Sequence, residues 1–394
     1  MKKTVSIIGG GPSALLLAAF LDASKFDIVL YEKNNTVGRK FLVAGKGGFN
    51  LTHSEPMPAL IARYTPVDFL QNALETFTNT HFREWLDTLG IETFVGSSKR
   101  VYPVENVKPI QVLNAMVKVL EDEGVRIHTK HTFTGWNKEK LVFNNTETIQ
   151  SDYTVFALGG GSWKITGSDG SWQSLFAEKN IDTLPFSASN CAYGVAWPKD
   201  FIAQHAGTPL KNSAIRYDTH IQKGEAVFTQ FGIEGNAIYG LSPFLREAFK
   251  TKKPVCVHID FKPVFSEATL LKKIQAATEK NTAQILKKTL KLTSAQIALL
   301  KNTLSKEAYL EPALLAQGIK NCPLQLTGPG PLDEAISTTG GLPLNAVDAN
   351  FQLQKLPNHY AIGELLDWDA PTGGYLLQAC ASMGVALAKH LNQL

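Results

Sequence analysis

Long apolar runs are missing: no stretch reaches the roughly 20 consecutive apolar residues that a membrane-crossing helix needs. Cysteine is scarce too, with four in 394 residues, at Cys191, Cys256, Cys322 and Cys380. They form no C-x-x-C pair and no Cys/His cluster, which excludes a local zinc site or dithiol. Four buried thiols in a reducing compartment are predicted instead. Charged residues make up only 19% of the chain and the net charge is +4. That excess permits an acidic or nucleic-acid partner without requiring one. A hydrophobic share of 44% excludes a disordered chain, and the length allows two or three domains. Met1-Lys2-Lys3 ahead of apolar Ala14 to Leu21 has the outline of a secretion signal, but Gly9 to Ser13 interrupts it. A cytoplasmic protein is expected.

What the chain does have is a glycine turn. Val5-Ser6-Ile7-Ile8 reads as a buried strand, Gly9-Gly10-Gly11-Pro12-Ser13-Ala14 follows, and Leu15 to Leu21 continues at helical length. In the spacing Gly9-x-Gly11-x-x-Ala14, the first glycine allows the tight turn and the second leaves room for a pyrophosphate. Ala14 lets helix and strand pack closely. The helix N-terminus then faces the phosphates. Asp27 to Tyr31 is a second strand closed by Glu32, at the spacing where an acid holds a ribose hydroxyl. This order of parts points to an adenine dinucleotide, with Lys33 beside Glu32 among its contacts.

Thr36 to Ser54 holds four glycines and three cations. Backbone amides bared at Gly38, Gly45 and Gly47, with Arg39, Lys40 and Asn50 nearby, suit a phosphate and a polar ring edge. A surface loop is the alternative. The segment resembles the signature G-R-K-x-x-x-(S/A)-G-x-G-x-x-N-x-T of the YhiN/BaiN-like flavoproteins, a family of NAD(P)/FAD-dependent oxidoreductases. Many relatives read S-G-G-G-R-C-N where this chain has Ala44-Gly45-Lys46-Gly47-Gly48-Phe49-Asn50. Gly48 and Phe49 therefore replace Arg and Cys, as in a distinct subgroup.

Pro66 to Leu89 and Val107 to Glu123 carry apolar residues at helical spacing, each followed by glycine. Val125 to His128 reads as a strand and Leu141 to Phe143 as part of a β-meander. Tyr153 to Gly161 is a buried strand ending in glycines. It resembles the second fingerprint of glutathione-reductase-type FAD folds and adds Gly159 to the contacts. Thr166 to Gly170 also fits the family, and Asp169 is placed to cap the next helix. From Cys191 to Phe261 the pattern is β-like. Within it, Phe228 to Ala237 resembles the family's F-T-H-F-G-x-S-G-P-A, with Gln230, Glu234 and Asn236 replacing His, Ser and Pro. Ser266 to Lys320 reads as helical, and Lys272, Lys273, Lys280, Lys287, Lys288, Lys291, Lys301 and Lys306 meet few acids there. A solvated face and a footprint for RNA phosphates both fit, although aromatics for base stacking are nearly absent.

Near the C-terminus, Thr338-Thr339-Gly340-Gly341 precedes a short strand from His359. Gly363-Glu364, Asp367, Thr372-Gly373-Gly374-Tyr375 and a long apolar helix to Leu391 follow. The family's ending, G-E-x-x-D-x-x-(G/A)-P-T-G-G-Y-x-L-Q, matches nearly residue for residue. The resemblance implies that Gly363-Glu364 meets a ribityl chain, with Asp367 close by. It also implies that Thr372, Gly373 and Gly374 start a helix whose positive end faces the flavin N1 and C2 carbonyl.

The expected fold is α/β: a Rossmann-like FAD-binding domain of glutathione-reductase type with an inserted β-rich plus helical domain. Residues 1–190 and 325–394 would form the FAD domain, 191–265 the β-rich part and 266–324 the helical insertion. Both chain ends build one site, which favours FAD over NAD. A single dinucleotide turn supports no built-in NADPH domain, so NADH or NADPH is expected only as a transient electron donor. The missing C-x-x-x-x-C excludes disulfide reductase chemistry of that type. The resemblance implies a FAD-dependent oxidoreductase that reduces an activated C=C bond, in an unsaturated ketone-type metabolite or a uridine of ribosomal RNA. Hydride would come through flavin N5 and the proton from a placed acid. Lys46, His53 and Tyr375 are candidates for that acid, each also readable as a binding or structural residue. Two alternatives stand: a flavin-dependent oxidase or dehydrogenase of a small metabolite, and a non-catalytic flavin-bearing RNA- or ribosome-associated module. No membrane and no metal are expected as partners.

Overall fold

The computed structural model describes residues 2–43 and 49–394, so Gly45, Lys46 and Gly47 lie outside the described residues. The chain forms two compact units. One runs to Ala188 and resumes at Leu332–Leu394, and the other is Ser189–Pro331.

In the first unit, short β-branched runs are buried on both faces, which suits a parallel sheet. Five parallel strands lie in the order His359–Ala361, Tyr153–Phe156, Lys3–Ile8, Phe26–Glu32 and Arg126–Thr129. The first strand of the chain is central, with Ile7 opposite Leu30 on one side and Val155 on the other. Strands from both chain ends thus share one sheet, and their carboxyl ends gather along one edge, where such sheets bind ligands. Behind that edge, helix Pro12–Phe20 packs on the terminal helix Tyr375–Leu391. Gly384 makes this possible, since a Cβ there would lie 2.5 Å from the Ser13 carbonyl oxygen.

Two local readings change. The helical stretch from Pro66 to Leu89 is two helices, Val67–Thr76 and Asn79–Thr88. Thr78 divides them, because its hydroxyl accepts the His81 amide at 3.2 Å and caps the second. Thr338 to Gly341 lies inside a strand, Ser337–Gly341, paired with Leu184–Ser189.

The second unit holds a seven-stranded sheet around the antiparallel pair Pro209–Tyr217 and His220–Phe228. Its helices after Phe265 open on side-chain caps. Ser266, Asn281, Thr293, Ser305 and Glu311 each accept the amide three residues on. These helices belong to the same unit as the sheet, and residues 325–331 do as well, since Cys322–Leu326 pairs with Val255–Asp260. All four cysteines are free. Cys191, Cys322 and Cys380 are buried, but Cys256 is half-buried on Val255–Asp260. No helix among the described residues is long and apolar enough to cross a membrane.

Candidate functional site

At the carboxyl edge of the parallel sheet lies a cleft, the place where open sheets of this kind bind ligands. Ile8 to Pro12 line its floor, residues 31–34 and 38–40 one wall, and residues 157–159, 166–169, 171 and 172 another. Gly9 sits at φ +102°, and a Cβ there would be 2.4 Å from the Ala157 carbonyl oxygen, so the turn demands glycine. Gly11 differs: a Cβ on it would meet nothing within 4 Å. The helix beginning at Pro12 has no side-chain cap and no acid in its first turn. Its leading amides and dipole therefore present positive charge to the cleft.

Glu32 closes the second strand with its carboxylate oriented by three donors. Oε2 accepts the Gly10 amide at 2.8 Å, and Oε1 accepts the Asn34 amide at 2.8 Å and its Nδ2 at 2.7 Å. A carboxylate has about four lone-pair sites, so one remains for a hydroxyl. Lys40 Nζ bonds Glu364 at 3.0 Å and the Ser162 hydroxyl at 3.2 Å, leaving one of its three protons. Lys33 pairs with Asp169 at 2.8 Å. Asp169 is not the helix cap expected of it. Its Oδ1 accepts the Ser171 amide at 3.1 Å and hydroxyl at 2.8 Å, while the helix starts later, at Gln173. Burial pushes its carboxyl up, but the bonds from Lys33 and Ser171 outweigh that and leave it below the usual range.

Of the residues singled out in the sequence, the cleft brings together Gly9, Gly11, Pro12, Glu32, Lys33, Gly38, Arg39, Lys40, Gly159 and Glu364. Ser13 and Ala14 are buried in the helix behind it. Gly363, at φ +86°, packs its α-carbon against Ser13, where a Cβ would lie 2.7 Å from the hydroxyl. Asp367 accepts the Gly340 amide at 2.7 Å, which ties the strand Ser337–Gly341 to the C-terminal segment. Asn50, Thr372, Gly373 and Gly374 lie off the lining of this cleft. Phe49 is buried against the Phe41 ring, with centroids 5.0 Å apart and planes at 90°. The position that is Cys in the resembled signature is thus apolar packing here.

His53 and Tyr375 meet elsewhere in the first unit. Their rings stack at 4.8 Å and 19°. His53 Nδ1 accepts the Glu55 amide at 3.2 Å, which puts the neutral ring's proton on Nε2. Burial holds its pKa below the ordinary value. Tyr375 donates its hydroxyl to Glu55 Oε2 at 2.7 Å, and Arg63 grips the same carboxylate through Nη2 at 2.6 Å and Nε at 3.1 Å. Burial and the Glu55 carboxylate push the Tyr375 phenol well above its usual range. For Glu55, burial acts upward, but the bonds from Arg63 and Tyr375 prevail and lower it. Its stabilising effect is therefore complete above the unfolded carboxyl pKa and lost as pH falls through the lowered folded value. Glu55→Gln should melt several degrees earlier than the parent at neutral pH. The gap should close in thermal melts as pH falls through the lowered folded pKa of Glu55.

Sequence reasoning missed part of the wall: Tyr31, Asn34, His131, Thr132, Phe133 and Trp172 also line the cleft. His131 emerges beside Glu32 because Arg126–Thr129 is the next strand of the sheet. Its Nδ1 donates to the Thr129 carbonyl at 2.8 Å and its Nε2 lies 3.2 Å from Glu147. No local signal marks this pairing, since it exists only once the sheet order is known.

The cleft fits the adenosine diphosphate part of a dinucleotide. An open glycine α-carbon, a helix N-terminus, a ribose-distance acid and cations converge on it, and a Cβ at Gly11 would fill the space a pyrophosphate needs. Among the described residues no group of three or more His, Cys, Asp or Glu is placed to hold a metal ion.

The model of the HI0933-like protein Rossmann domain matches this chain across residues 3–390. The chain is 25% identical over 395 residues to the 3-dehydro-bile acid delta(4,6)-reductase of Clostridium scindens, with 95% of each covered. It is 21% identical to the ribosomal RNA dihydrouridine synthase of Escherichia coli, covering 98% of this chain and 97% of that protein. Among solved structures, the 3-ketosteroid-delta4-(5alpha)-dehydrogenase of Rhodococcus jostii RHA1 aligns with a TM-score of 0.50 at 13% identity, covering 98% of this chain and 97% of that one. That likeness is one of fold.

Proposed function

The chain belongs to the HI0933-like family of YhiN/BaiN-like flavoproteins, and from that premise we propose that this FAD-dependent oxidoreductase saturates an activated C=C bond, with NADH or NADPH as electron donor. The two relatives support the reading, since a delta(4,6)-reductase and a dihydrouridine synthase are both named for adding hydrogen to an unsaturated ring. FAD supplies hydride transfer, while the protein orients it and sets its electrostatics. Gly9, Gly11 and the following helix would hold the pyrophosphate and Glu32 a ribose hydroxyl. Glu364 would meet the ribityl chain, and Thr372, Gly373 and Gly374 would approach the flavin ring. His53 and Tyr375 would fix the shape of that end rather than move a proton, because a buried neutral imidazole and a carboxylate-bound phenol are poor acids.

For the substrate, the charge distribution favours an RNA uridine over a ketone-type metabolite. Residues 189–331 carry 18 Lys and Arg against 10 Asp and Glu, a net +8, while the rest of the chain is at −4. The eight lysines singled out between Lys272 and Lys306 are all exposed, as a surface for phosphates requires.

Anaerobic titration of the purified protein with NADH and NADPH tests this. One donor should bleach the flavin band, with slow return in air. Fast return would favour an oxidase, and no bleaching together with RNA retention would favour a non-catalytic module. Loss of dihydrouridine from ribosomal RNA in a deletion strain is the result expected for uridine, and unchanged content would remove that substrate.

A further inference from the structure

We propose that residues 163–171 form a strap across the dinucleotide cleft, latched by the Lys33–Asp169 ion pair, that sets how slowly FAD leaves; this rests on the FAD reading above. Three donors from the loop after the second strand and the helix start that follows it reach this one segment. Lys33 Nζ lies 2.8 Å from Asp169 Oδ2, Arg39 Nη2 donates to the Ile165 carbonyl at 2.8 Å, and Asn34 Nδ2 donates to the Thr166 carbonyl at 3.4 Å. Gly167 allows the close approach: at φ +102° its Cβ would sit 2.4 Å from Asn34 Nδ2.

The other side of the strap is anchored to the glycines that follow the strand Tyr153–Phe156. Ser168 Oγ donates to the Gly160 carbonyl at 3.1 Å, and Trp172 Nε1 to the Gly159 carbonyl at 3.0 Å. At its start, Asp333 Oδ1 accepts the Lys164 amide at 2.7 Å. Ile165 is 78% exposed, so burial of its own apolar side chain does not hold the strap in place. Polar tethers do. Thr166 to Asp169 line the cleft together with Gly9, Gly11 and Glu32, so a dinucleotide leaving that floor passes the strap.

Both partners of the ion pair are about a third exposed, at 30% and 34%, so the latch should be modest and salt-sensitive. The test is the release rate of FAD from the full chain, followed by flavin fluorescence after dilution. Three variants are compared: Lys33→Gln, Asp169→Asn and the double. Asp169→Asn keeps the acceptor that Ser171 uses, and apo-protein melts check folding. Each single variant should release FAD roughly three- to fivefold faster. The double should be no faster than the singles. Raising salt should speed release from the parent more than from the double, a readout that needs no single variant to fold well.

If Lys33→Gln speeds release and Asp169→Asn does not, Lys33 acts on the phosphates directly and the latch is overturned. Equal release rates in all forms overturn it as well. A parent chain that takes up no FAD overturns instead the cofactor reading beneath it.

Discussion

Gly11→Val is expected to abolish tight FAD binding while leaving the protein folded. Gly11 sits at φ −79° and ψ 178°, an extended conformation open to any residue. Its added Cβ meets no protein atom within 4 Å, so the cost to the fold should stay below about 1 kcal/mol, the scale of an altered helix cap. The space it fills is the approach to the first amides of the helix Pro12–Phe20. Two hydrogen bonds from such amides to a charged phosphate are worth about 1.5–3 kcal/mol each. Losing both should weaken FAD by roughly a hundredfold or more. Flavin fluorescence titration against apo-protein measures this, and a melting curve run in parallel shows whether the fold survived. Gly9→Ala is the contrast, because its Cβ strikes the Ala157 carbonyl at 2.4 Å. That variant should fail in stability first. A Gly11→Val protein that binds FAD like the parent would mean that no pyrophosphate passes this turn.

The contrast between these glycines also marks where sequence reading stops. Spacing alone marks both, because the pattern Gly-x-Gly-x-x-Ala is a statement about backbone room, and strand, turn and helix are local events. The same holds for Glu32, whose place at a strand end follows from counting. What spacing cannot show is which groups oppose one another across the sheet. His131 and Phe133 reach the cleft because Arg126–Thr129 pairs with Phe26–Glu32, a long-range choice that no local pattern records. Asp169 shows the same limit from another side. Its position ahead of a helix suggested a cap, yet Lys33, distant in sequence, competes for the carboxylate and Ser171 takes the remaining oxygen. The split at Thr78 was readable in principle, since Thr is a good cap, but the apolar periodicity running through it hid the break. Gly384 had no signal at all. A glycine within an apolar helix looks like a weak helix former until the Ser13 carbonyl is found against it.

Gly374→Ala should be the most destabilising substitution in the C-terminal motif, and its cause can be separated into two parts. The residue lies at φ +99°, where a non-glycine side chain costs about 1–3 kcal/mol in strain. Its Cβ would also sit 2.5 Å from the carbonyl carbon and oxygen of Thr52. Those are backbone atoms of Thr52–His53, a strand paired with Arg100–Pro103, and they cannot swing aside as a side chain would. The terminal helix is pinned on the same spot. Thr52 Oγ1 donates to Gln378 Oε1 at 2.6 Å, and Gln378 Nε2 and the Ser382 hydroxyl both reach the Phe77 carbonyl, at 3.0 and 2.7 Å. Moving the helix to relieve the clash would break these buried bonds, so overpacking adds about 1–3 kcal/mol. A total of roughly 2–6 kcal/mol is expected, read as a lower melting temperature of the apo-protein. Gly124→Ala serves as the control, since that glycine also has positive φ, at +74°, but a Cβ there meets nothing within 4 Å. It should show the strain alone. Equal losses in the two variants would mean that the Thr52 contact is relieved without cost, and the helix start would then not be held by that strand.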